Sequence, residues 1–468
     1  MQPTLFPTDP YFSVRYRRFQ DSDLGRLRAS LPIKELAQSL PPLSAAARRQ
    51  SWFTTEGKIA LQFLKPYLGL SDAALLERLN TDWALQLFCG LQLKENEQIK
   101  DKNLVWQTRT YIAQYLDIEQ FQKILIDHWR PHLKAPHTGF SDATCYESYI
   151  KRPTDTALLW DSVEWLHAKL VNWSRALGQA RPRNKYLKYK RRYFQYARLR
   201  RKPYKKRRKM CKGLIGLCNK LLGQVDERIV LWLERQEYDY NLSGLITKED
   251  LAKYQLIGKI YEQQRFHYDQ PEASVPKRIV SLAKPYIRPI IRGKESTGGK
   301  RTEFGAKLNT WMVDGLHFIE HFSFEAFHEG NRLQQGVAFH FKHFGKLHRL
   351  GADAIYATNE NRRFCKKLHI STNFKPKGRR TIDPVLRKQE DQIRNAIAKV
   401  RSTQLEGAYG NDKNHYGLQK VKARNQLTEK AWIFFAMMCA NANKIAKRQI
   451  VKLSKGPPNK QGSLKLAA

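Results

Sequence analysis

Apolar residues recur at helical spacing through most of the first 115 residues, interrupted by polar and proline breaks such as Leu40-Pro-Pro-Leu43. Within this stretch, Thr55 to Leu91 predicts a helix ending at Lys65-Pro66, a tight Leu68-Gly69-Leu70 turn, and a second helix over Ala73 to Asn80 with Ser71-Asp72 as its N-cap. Two readings of this pair stand side by side. One is a helix-turn-helix whose second helix enters a major groove; the other is a plain helical bundle, since Leu75, Leu76 and Leu79 are what any packed amphipathic helix shows. Near 138 to 150 the pattern becomes extended, with Thr144, Tyr146 and Ser148 fitting a strand. After Asp155 it turns helical again through about residue 265, carried by Leu158-Leu159-Trp160, Trp165-Leu166, Leu214 to Leu222 and Ile229 to Leu233, with Thr247 to Asp250 a capping-box-like start for the last helix.

From Pro276 the chain becomes rich in strand signals. Phe304, Ala306, Leu308, Thr310 and Met312 alternate onto one face, and Asp314-Gly315 then turns the chain into Leu316, Phe318, Glu320 and Phe322. Asp-Gly readily supplies the positive φ angles of a type I′ turn, so Asp314 is structural. The pattern next predicts a helical segment from about Phe324 to Phe344, a strand ending at Asp353, a helix near Asn359 to Leu368, a short strand around Ile370, and a helix over about Pro384 to Val400. Glu406 opens or sits within a further helix, and Ala431 to Ala440 reads as a buried core helix.

Charge changes the picture. The 468 residues hold 84 Lys and Arg against 43 Asp and Glu, a formal net charge of +41. Such an excess repels itself unless a polyanion absorbs it, and nucleic acid is the first candidate, a membrane surface the weaker one. The ten apolar residues from Ala431 to Ala440 are the longest such run, too short to span a bilayer. Met1-Gln-Pro-Thr-Leu-Phe-Pro lacks a basic segment followed by an apolar one, so no secretory signal is expected. Six scattered cysteines without a Cys-x-x-Cys pair predict a reduced, cytoplasmic protein without structural zinc.

The most basic run is Arg181 to Lys212, with seventeen Lys or Arg and no acid. Lys190, Arg191, Arg192, Arg200, Arg201, Lys205, Lys206, Arg207 and Arg208 are its candidate phosphate contacts. Tyr186, Tyr189, Tyr193, Phe194, Tyr196 and Tyr204 interleave with the charges and could stack on unpaired bases. A solvated helix face usually mixes both signs, so DNA contact is the preferred reading. Other signals are weaker. Gly293 to Lys300 resembles a phosphate loop in composition only, without its order or spacing, and reads as a flexible basic loop; no nucleotide cofactor is expected. His128, His132 and His137 lack a fourth ligand at zinc spacing, and Trp129 beside them suggests an ordinary surface near DNA.

Three acids stand in distinctive surroundings: Asp142 in Phe-Ser-Asp-Ala-Thr, Asp353 in Leu-Gly-Ala-Asp-Ala-Ile-Tyr, and Glu406 in Leu-Glu-Gly-Ala-Tyr-Gly-Asn-Asp-Lys413. Singly, each has a bland reading as a turn residue, a helix cap or an exposed carboxylate. Together they suit a split site for two hard divalent cations, assembled by the fold from distant residues. Glu147 and Asp155 are expected to pair with neighbouring bases. Lys413 lies about two helical turns after Glu406, so both can face one groove.

These surroundings resemble those of the DDE transposases of bacterial insertion sequences, especially the InsH-like group. Asp142 to Asp155 resembles the segment carrying that family's first aspartate, and Glu406-Gly-Ala-Tyr-Gly with Lys413 resembles its glutamate helix. The relatives place an arginine four residues before the glutamate, where this chain has Ser402, with Arg401 five before. The resemblance implies catalysis and metal binding at Asp142, Asp353 and Glu406, with two Mg²⁺ replaceable by Mn²⁺ and DNA contacts from Arg401 and Lys413. It also implies double-stranded DNA ends and target as partners, a homodimer or higher oligomer on DNA, and a cytoplasmic, nucleoid-associated bacterial protein.

The expected fold is α+β and α/β. An RNase H-like catalytic domain begins in residues 116–155, is interrupted by a helical, basic insertion over 156–270 and resumes over 271–450; an all-helical end-recognition domain over 1–115 precedes it, and a disordered basic tail over 451–468 follows. The competing classes are an inactive, transposase-derived DNA-binding protein and a basic nucleic-acid packaging protein, neither of which requires metal-dependent cleavage.

Overall fold

The computed structural model describes residues 11–42, 51–94, 96–239, 242–296, 299–378 and 383–454. The chain divides into two compact units, Met1–Tyr149 with Glu303–Ala468, and Ile150–Thr302. The start at Met1 and the tail from residue 455 lie outside the described residues.

In the first unit, helices α1 (Phe12–Asp21), α2 (Asp23–Ala29), α3 (Ile33–Gln38), α4 (Thr55–Leu68), α5 (Asp72–Thr81), α6 (Trp83–Cys89), α7 (Leu104–Tyr115) and α8 (Ile118–Trp129) precede the first strand. Helix α4 does not stop at Pro66 as expected. The missing N–H removes a single bond near the helix end, and Gly69, in the left-handed region at φ 65°, closes the last turn by donating to the Lys65 carbonyl. Ser71 caps α5 as predicted, its Oγ accepting from Ala74 N at 3.2 Å. Leu75, Leu76 and Leu79 are buried, and the outward side of α5 carries Glu77 and an Arg78 held by Asp82 at 2.9 Å. The predicted core run Ala431 to Ala440 lies in the late helix Gln426–Ser454 and is buried except at Trp432, which is half-buried. Phe434 and Phe435 of this run meet Phe121 and Phe63 edge-on at 5.9 and 5.0 Å, so the N-terminal helices pack around it.

The sheet of this unit is centred on β1 (Thr138–Glu147). Strand β2 (Pro289–Ser296) belongs to the second unit, and β3 (Gly299–Val313), which crosses the unit boundary at Thr302, runs antiparallel to β1 with Asp142 opposite Thr310. Beyond β3 lies antiparallel β4 (Leu316–Ser323); on the other side β5 (Arg349–Ala352) and β6 (Ser371–Thr372) run parallel to β1. Asp314 and Gly315 take φ 50° and 76°, the predicted turn, and Asp314 Oδ2 accepts from Lys134 N and Arg448 Nη1.

Both faces of β3 are buried, not one alone, because helices cover the sheet on each side. Phe140 and Met312 pack under Ile397, Leu405 and Ala408 of a long helix, while Trp311 and Val313 face Leu333 and Val337. Trp311 is held so closely that a Cβ on Gly139 or Gly336 would come within 2.6 or 2.5 Å of its ring.

The helix expected over Phe324 to Phe344 begins only at Leu333. It is preceded by a 3-10 turn, Glu329–Arg332, whose Gly330 carbonyl accepts from Asn361 Nδ2 at 2.7 Å. The two helices expected around residues 384 to 406 are one, Pro384–His415, capped by Asp383 Oδ1 accepting from Val385 N and Leu386 N. No residue between Val400 and Glu406 breaks the helical path. This helix is tied to the sheet by fully buried Asp412, which accepts from Tyr146 Oη at 2.6 Å and meets His317 Nε2 at 2.7 Å.

The second unit contains α9 (Asp155–Ala176), α10 (Tyr186–Ala197), α11 (Tyr204–Arg235) and α12 (Lys248–Asp269). Continuing in chain order, α13 is Leu333–Phe344, α14 Asn359–Lys367, α15 Pro384–His415 and α16 Gln426–Ser454. Thr154 and Thr247 cap α9 and α12, accepting from Ala157 N and Asp250 N. The loop expected over Gly293 to Lys300 is strand on both flanks, with residues 297–298 outside the described part. Among the described residues no helix is long and apolar enough to cross a membrane.

The Trp311 clasp carries a pH dependence. Trp311 Nε1 donates to His340 Nδ1 at 3.1 Å, and burial pushes the His340 pKa down to about 4. The unfolded chain therefore takes up this proton near the ordinary histidine value while the folded one resists it, so stability is fully present above about pH 6.5 and falls as pH drops toward 4. Urea unfolding at pH 6.5 and 5 should show a loss of roughly 2 kcal/mol that His340→Gln removes. Equal losses in both proteins would place the titration elsewhere.

Candidate active site

Ser141 pairs with Ala352 where β1 and β5 run parallel. The next residue, still on β1 in one case and just past the end of β5 in the other, is an acid, so the strand register sets Asp142 beside Asp353. Arg401 of α15 then spans them, with Nη1 at 3.1 Å from Asp142 Oδ2 and Nη2 at 3.7 Å from Asp353 Oδ1. Asp142 is largely covered, its side chain 18% exposed against 53% for Asp353. Burial, with lesser help from the negative charges of Glu329 and Asp353, raises its pKa to about 6 against the pull of Arg401 and a bond from Ala143 N. Its backbone is fixed as well. The Asp142 carbonyl accepts from Thr310 Oγ1 at 3.2 Å and Tyr409 Oη at 3.3 Å, and burial keeps the Tyr409 phenol protonated. Asp353 also has the cap role weighed for it, Oδ1 accepting from Ala354 N at 2.8 Å.

Glu406 lies on the same helix as Arg401 but is exposed and makes no hydrogen bond or ion pair among the described residues. Five residues separate them, which turns the two side chains to well-separated directions around the helix. Arg401, Leu405, Ala408, Tyr409 and Asp412 form the face that packs on the sheet, and Glu406 stands beside that face. Lys413 is half-buried, its Nζ 6.0 Å from the Tyr146 ring.

The structure adds Glu329, which the sequence does not single out. It is held by Lys307 Nζ at 2.9 Å and is close enough to raise the Asp142 pKa. No local pattern marks it, because its turn is docked against the segment after Asp353: a Cβ on Gly330 would come within 2.7 Å of the Ile355 carbonyl.

Among the described residues no three His, Cys, Asp or Glu side chains stand close enough to hold a metal ion. Asp142 and Asp353 still offer hard oxygen donors with one cation, the Arg401 guanidinium, already between them. That donor chemistry fits Mg²⁺ or Mn²⁺ and not a soft metal. Glu147 and Asp155, expected to pair with neighbouring Lys or Arg, do pair with basic residues, but with sequence-distant ones: Lys420, and Arg278 at 2.6 Å.

The basic run divides by residue type. Lys190, Arg191, Arg192, Arg200, Arg201, Lys205, Lys206 and Arg207 are exposed, and Arg208 is half-buried. Most of the aromatics are not presented for base stacking as expected. Tyr186, Tyr193 and Tyr196 recur on one face of α10 and are buried, with Trp160 stacked 5.6 Å from Tyr186 and 4.8 Å from Tyr193. Phe194 and Tyr204 remain exposed. Trp129 is likewise core and not surface, its Nε1 donating to the Ser30 carbonyl at 2.7 Å. His137 bonds the Lys346 carbonyl and His132 pairs with Gln449, so the histidines go to separate partners. All six cysteines are buried and free.

Residues 350–442, which contain Asp353, Arg401, Glu406 and Lys413, match the family model of the transposase DDE domain. The match supports a DDE-type transposase domain in this part of the chain. Domains of this family act on DNA with divalent metal ions. No curated protein and no solved structure matches the chain.

Gly407 and Gly410 follow Glu406 on α15, and a Cβ at either would meet nothing within 4 Å. Glycine inside a helix costs about 1 kcal/mol relative to alanine, and no packing within the described protein requires it here. The cleared surface suits close approach of a DNA backbone. Gly407→Ala with Gly410→Ala is expected to raise stability by about 1 to 2 kcal/mol in urea unfolding while slowing DNA cleavage severalfold. Unchanged cleavage in the stabilised variant would show that the cleared surface has no substrate role.

Proposed function

We propose that the chain is a transposase that binds the terminal inverted repeats of its insertion sequence, hydrolyses phosphodiester bonds at the ends and joins the 3′ hydroxyls to target DNA. The observation that carries this reading is the register pair Ser141 and Ala352, which sets Asp142 and Asp353 side by side at Arg401, within and next to the matched segment. The sheet order supports an RNase H-like domain. Taken as first to fifth, strands β1, β3, β4, β5 and β6 lie in the order third, second, first, fourth, fifth, and only the second is reversed.

Asp142, Asp353 and Glu406 would hold the metal, with Glu406 turning in from its exposed position. Two Mg²⁺ bound there would supply charge neutralisation, water activation and leaving-group stabilisation for an in-line displacement. The chain's own residues do the rest. Thr310 and Tyr409 fix the Asp142 backbone, so its carboxylate is aimed before substrate arrives. Arg401 screens the two aspartates from each other and, once the metal neutralises them, is placed to meet a phosphate oxygen. Lys413, two turns on, contacts the strand backbone, and the exposed cations of Arg181 to Lys212 supply further, sequence-independent affinity. Double-stranded DNA is the partner, engaged as a dimer or higher oligomer by a cytoplasmic, nucleoid-associated protein.

Replacing Asp142, Asp353 or Glu406 by Ala should abolish Mg²⁺-dependent cleavage of element ends while leaving affinity for them within a fewfold, because affinity comes from the basic surface. Cleavage and gel-shift assays on the same preparations read both. A variant with near-normal cleavage removes its residue from the site, and Glu406→Ala is the most informative of the three.

Changing Lys190, Arg191, Arg192, Lys205 and Lys206 to Gln should weaken DNA binding and flatten its salt dependence, the slope of log affinity against log salt falling by about one per lost phosphate contact. An unchanged slope would make the run a solvated face.

A further inference from the structure

The first unit has a cleft of about 650 Å³ bounded by α4, α5, α7, the end of α15 and the segment leading into α16. Its charged lining residues are almost entirely of one sign. Asp72 is its sole acid, and that carboxylate is already taken: Oδ1 lies 3.2 Å from Arg109 Nη2 and 2.5 Å from Lys65 Nζ. Lys420 is paired with Glu147. Lys102, Lys413, Lys422 and Arg424 also line the cleft and have no carboxylate partner among the described residues.

The uncharged lining points the same way. Gln62 is 4% exposed, yet its Nε2 has no acceptor, and the buried Trp106 Nε1 has none either. Both residues line the cleft. Unsatisfied buried donors each cost roughly 1 to 3 kcal/mol. Donors without acceptors, surrounded by unpaired cations, define a site for an anion. Burial and the neighbouring charges of Arg109 and Lys422 depress the Lys65 pKa, a sign of how closely the cations are crowded.

We propose that this cleft binds the phosphodiester backbone of the DNA strand that enters the Asp142 and Asp353 site. This rests on the transposase reading, and the location argues for DNA over another anion. Lys413 stands at the cleft and on the same helix as Glu406, seven residues on, or about 10 Å at 1.5 Å per residue. Backbone steps of about 3.4 Å per nucleotide place the bound phosphates about three nucleotides from the scissile one. The cleft is thus a second phosphate-binding surface, separate from the cations of Arg181 to Lys212, and it fixes the strand where the cut is made.

The test is a double substitution, Lys422→Glu with Arg424→Glu, both exposed and outside the acid site. Circular dichroism and the urea midpoint should match wild type. Affinity for a 20-base-pair duplex of arbitrary sequence should fall at least tenfold and the salt slope by about two. A scan of single methylphosphonate linkages along an end substrate should weaken wild-type binding most about three nucleotides from the cut and leave the double variant insensitive there. Unchanged affinity and slope, or equal sensitivity of both proteins to the neutral linkage, would overturn the cleft assignment. The duplex arm requires no cleavage, so failure of the acid substitutions to abolish cutting would sink the transposase reading without disturbing it.

Discussion

Burying a carboxylate on the middle strand of a sheet costs several kcal/mol unless a cation and hydrogen bonds meet it. Asp142 is such a group. It sits on β1 opposite Thr310, is covered by α15, and keeps a pKa near 6 even with Arg401 beside it. Much of the first unit follows from holding that charge. Helix α15 must continue unbroken past Val400 to deliver Arg401, and it must lie at a fixed height over the sheet for Tyr409 to reach the Asp142 carbonyl. Asp412, bonded by Tyr146 of β1 and His317 of β4, sets that height. On the opposite face Trp311, gripped by Gly139 and Gly336, fixes β1 against β3. The compensation is nevertheless incomplete. Burial still raises the Asp142 pKa with Arg401 beside it, so a further cation at its carboxylate would be favoured.

The two units divide electrostatic labour. The first holds carboxylates at a few points where charge must be exact, while the second carries its cations at high density and without acids between Arg181 and Lys212. Those cations are placed on a folded scaffold. The tyrosines of α10 are spent on Trp160 and His167, so the helix is fixed by its aromatic face and presents Lys190, Arg191 and Arg192 outward. On the transposase reading, association with DNA would be steered by a broad field and strand placement left to a few short contacts.

Local periodicity made most of the elements legible. The Asp314-Gly315 hairpin and the caps at Ser71 and Thr247 rest on contacts within a few residues, and these are present, as is the core helix over Ala431 to Ala440. The acids were legible as motifs, yet their mutual placement depends on strand register, which no local pattern encodes. Arg401 illustrates the limit. Its displaced spacing looked like a departure from the relatives, whereas in the structure that position aims the guanidinium at Asp142 and Asp353. Glu329 was invisible because only a distant turn brings it near Asp142. The tyrosines misled because a helix face built for packing and one built for stacking on bases share the same spacing.

Glu406 shows why the arrangement is incomplete without substrate. Arg401 now occupies the space between the aspartates, and Glu406, the third acid of the motif, faces outward on the same helix. A guanidinium and a metal ion cannot both neutralise the pair at close range, so on the transposase reading a metal held by Asp142 and Asp353 would favour release of Arg401. A phosphate backbone lying along α15 offers the freed guanidinium a new anionic partner, and the bare surface at Gly407 and Gly410 leaves room for it. Metal and DNA would then each stabilise the state the other requires, which is positive coupling between two ligands through one side chain. On that reading Arg401 would hold the unfilled site until both are present, and cleavage would be tied to the bound strand.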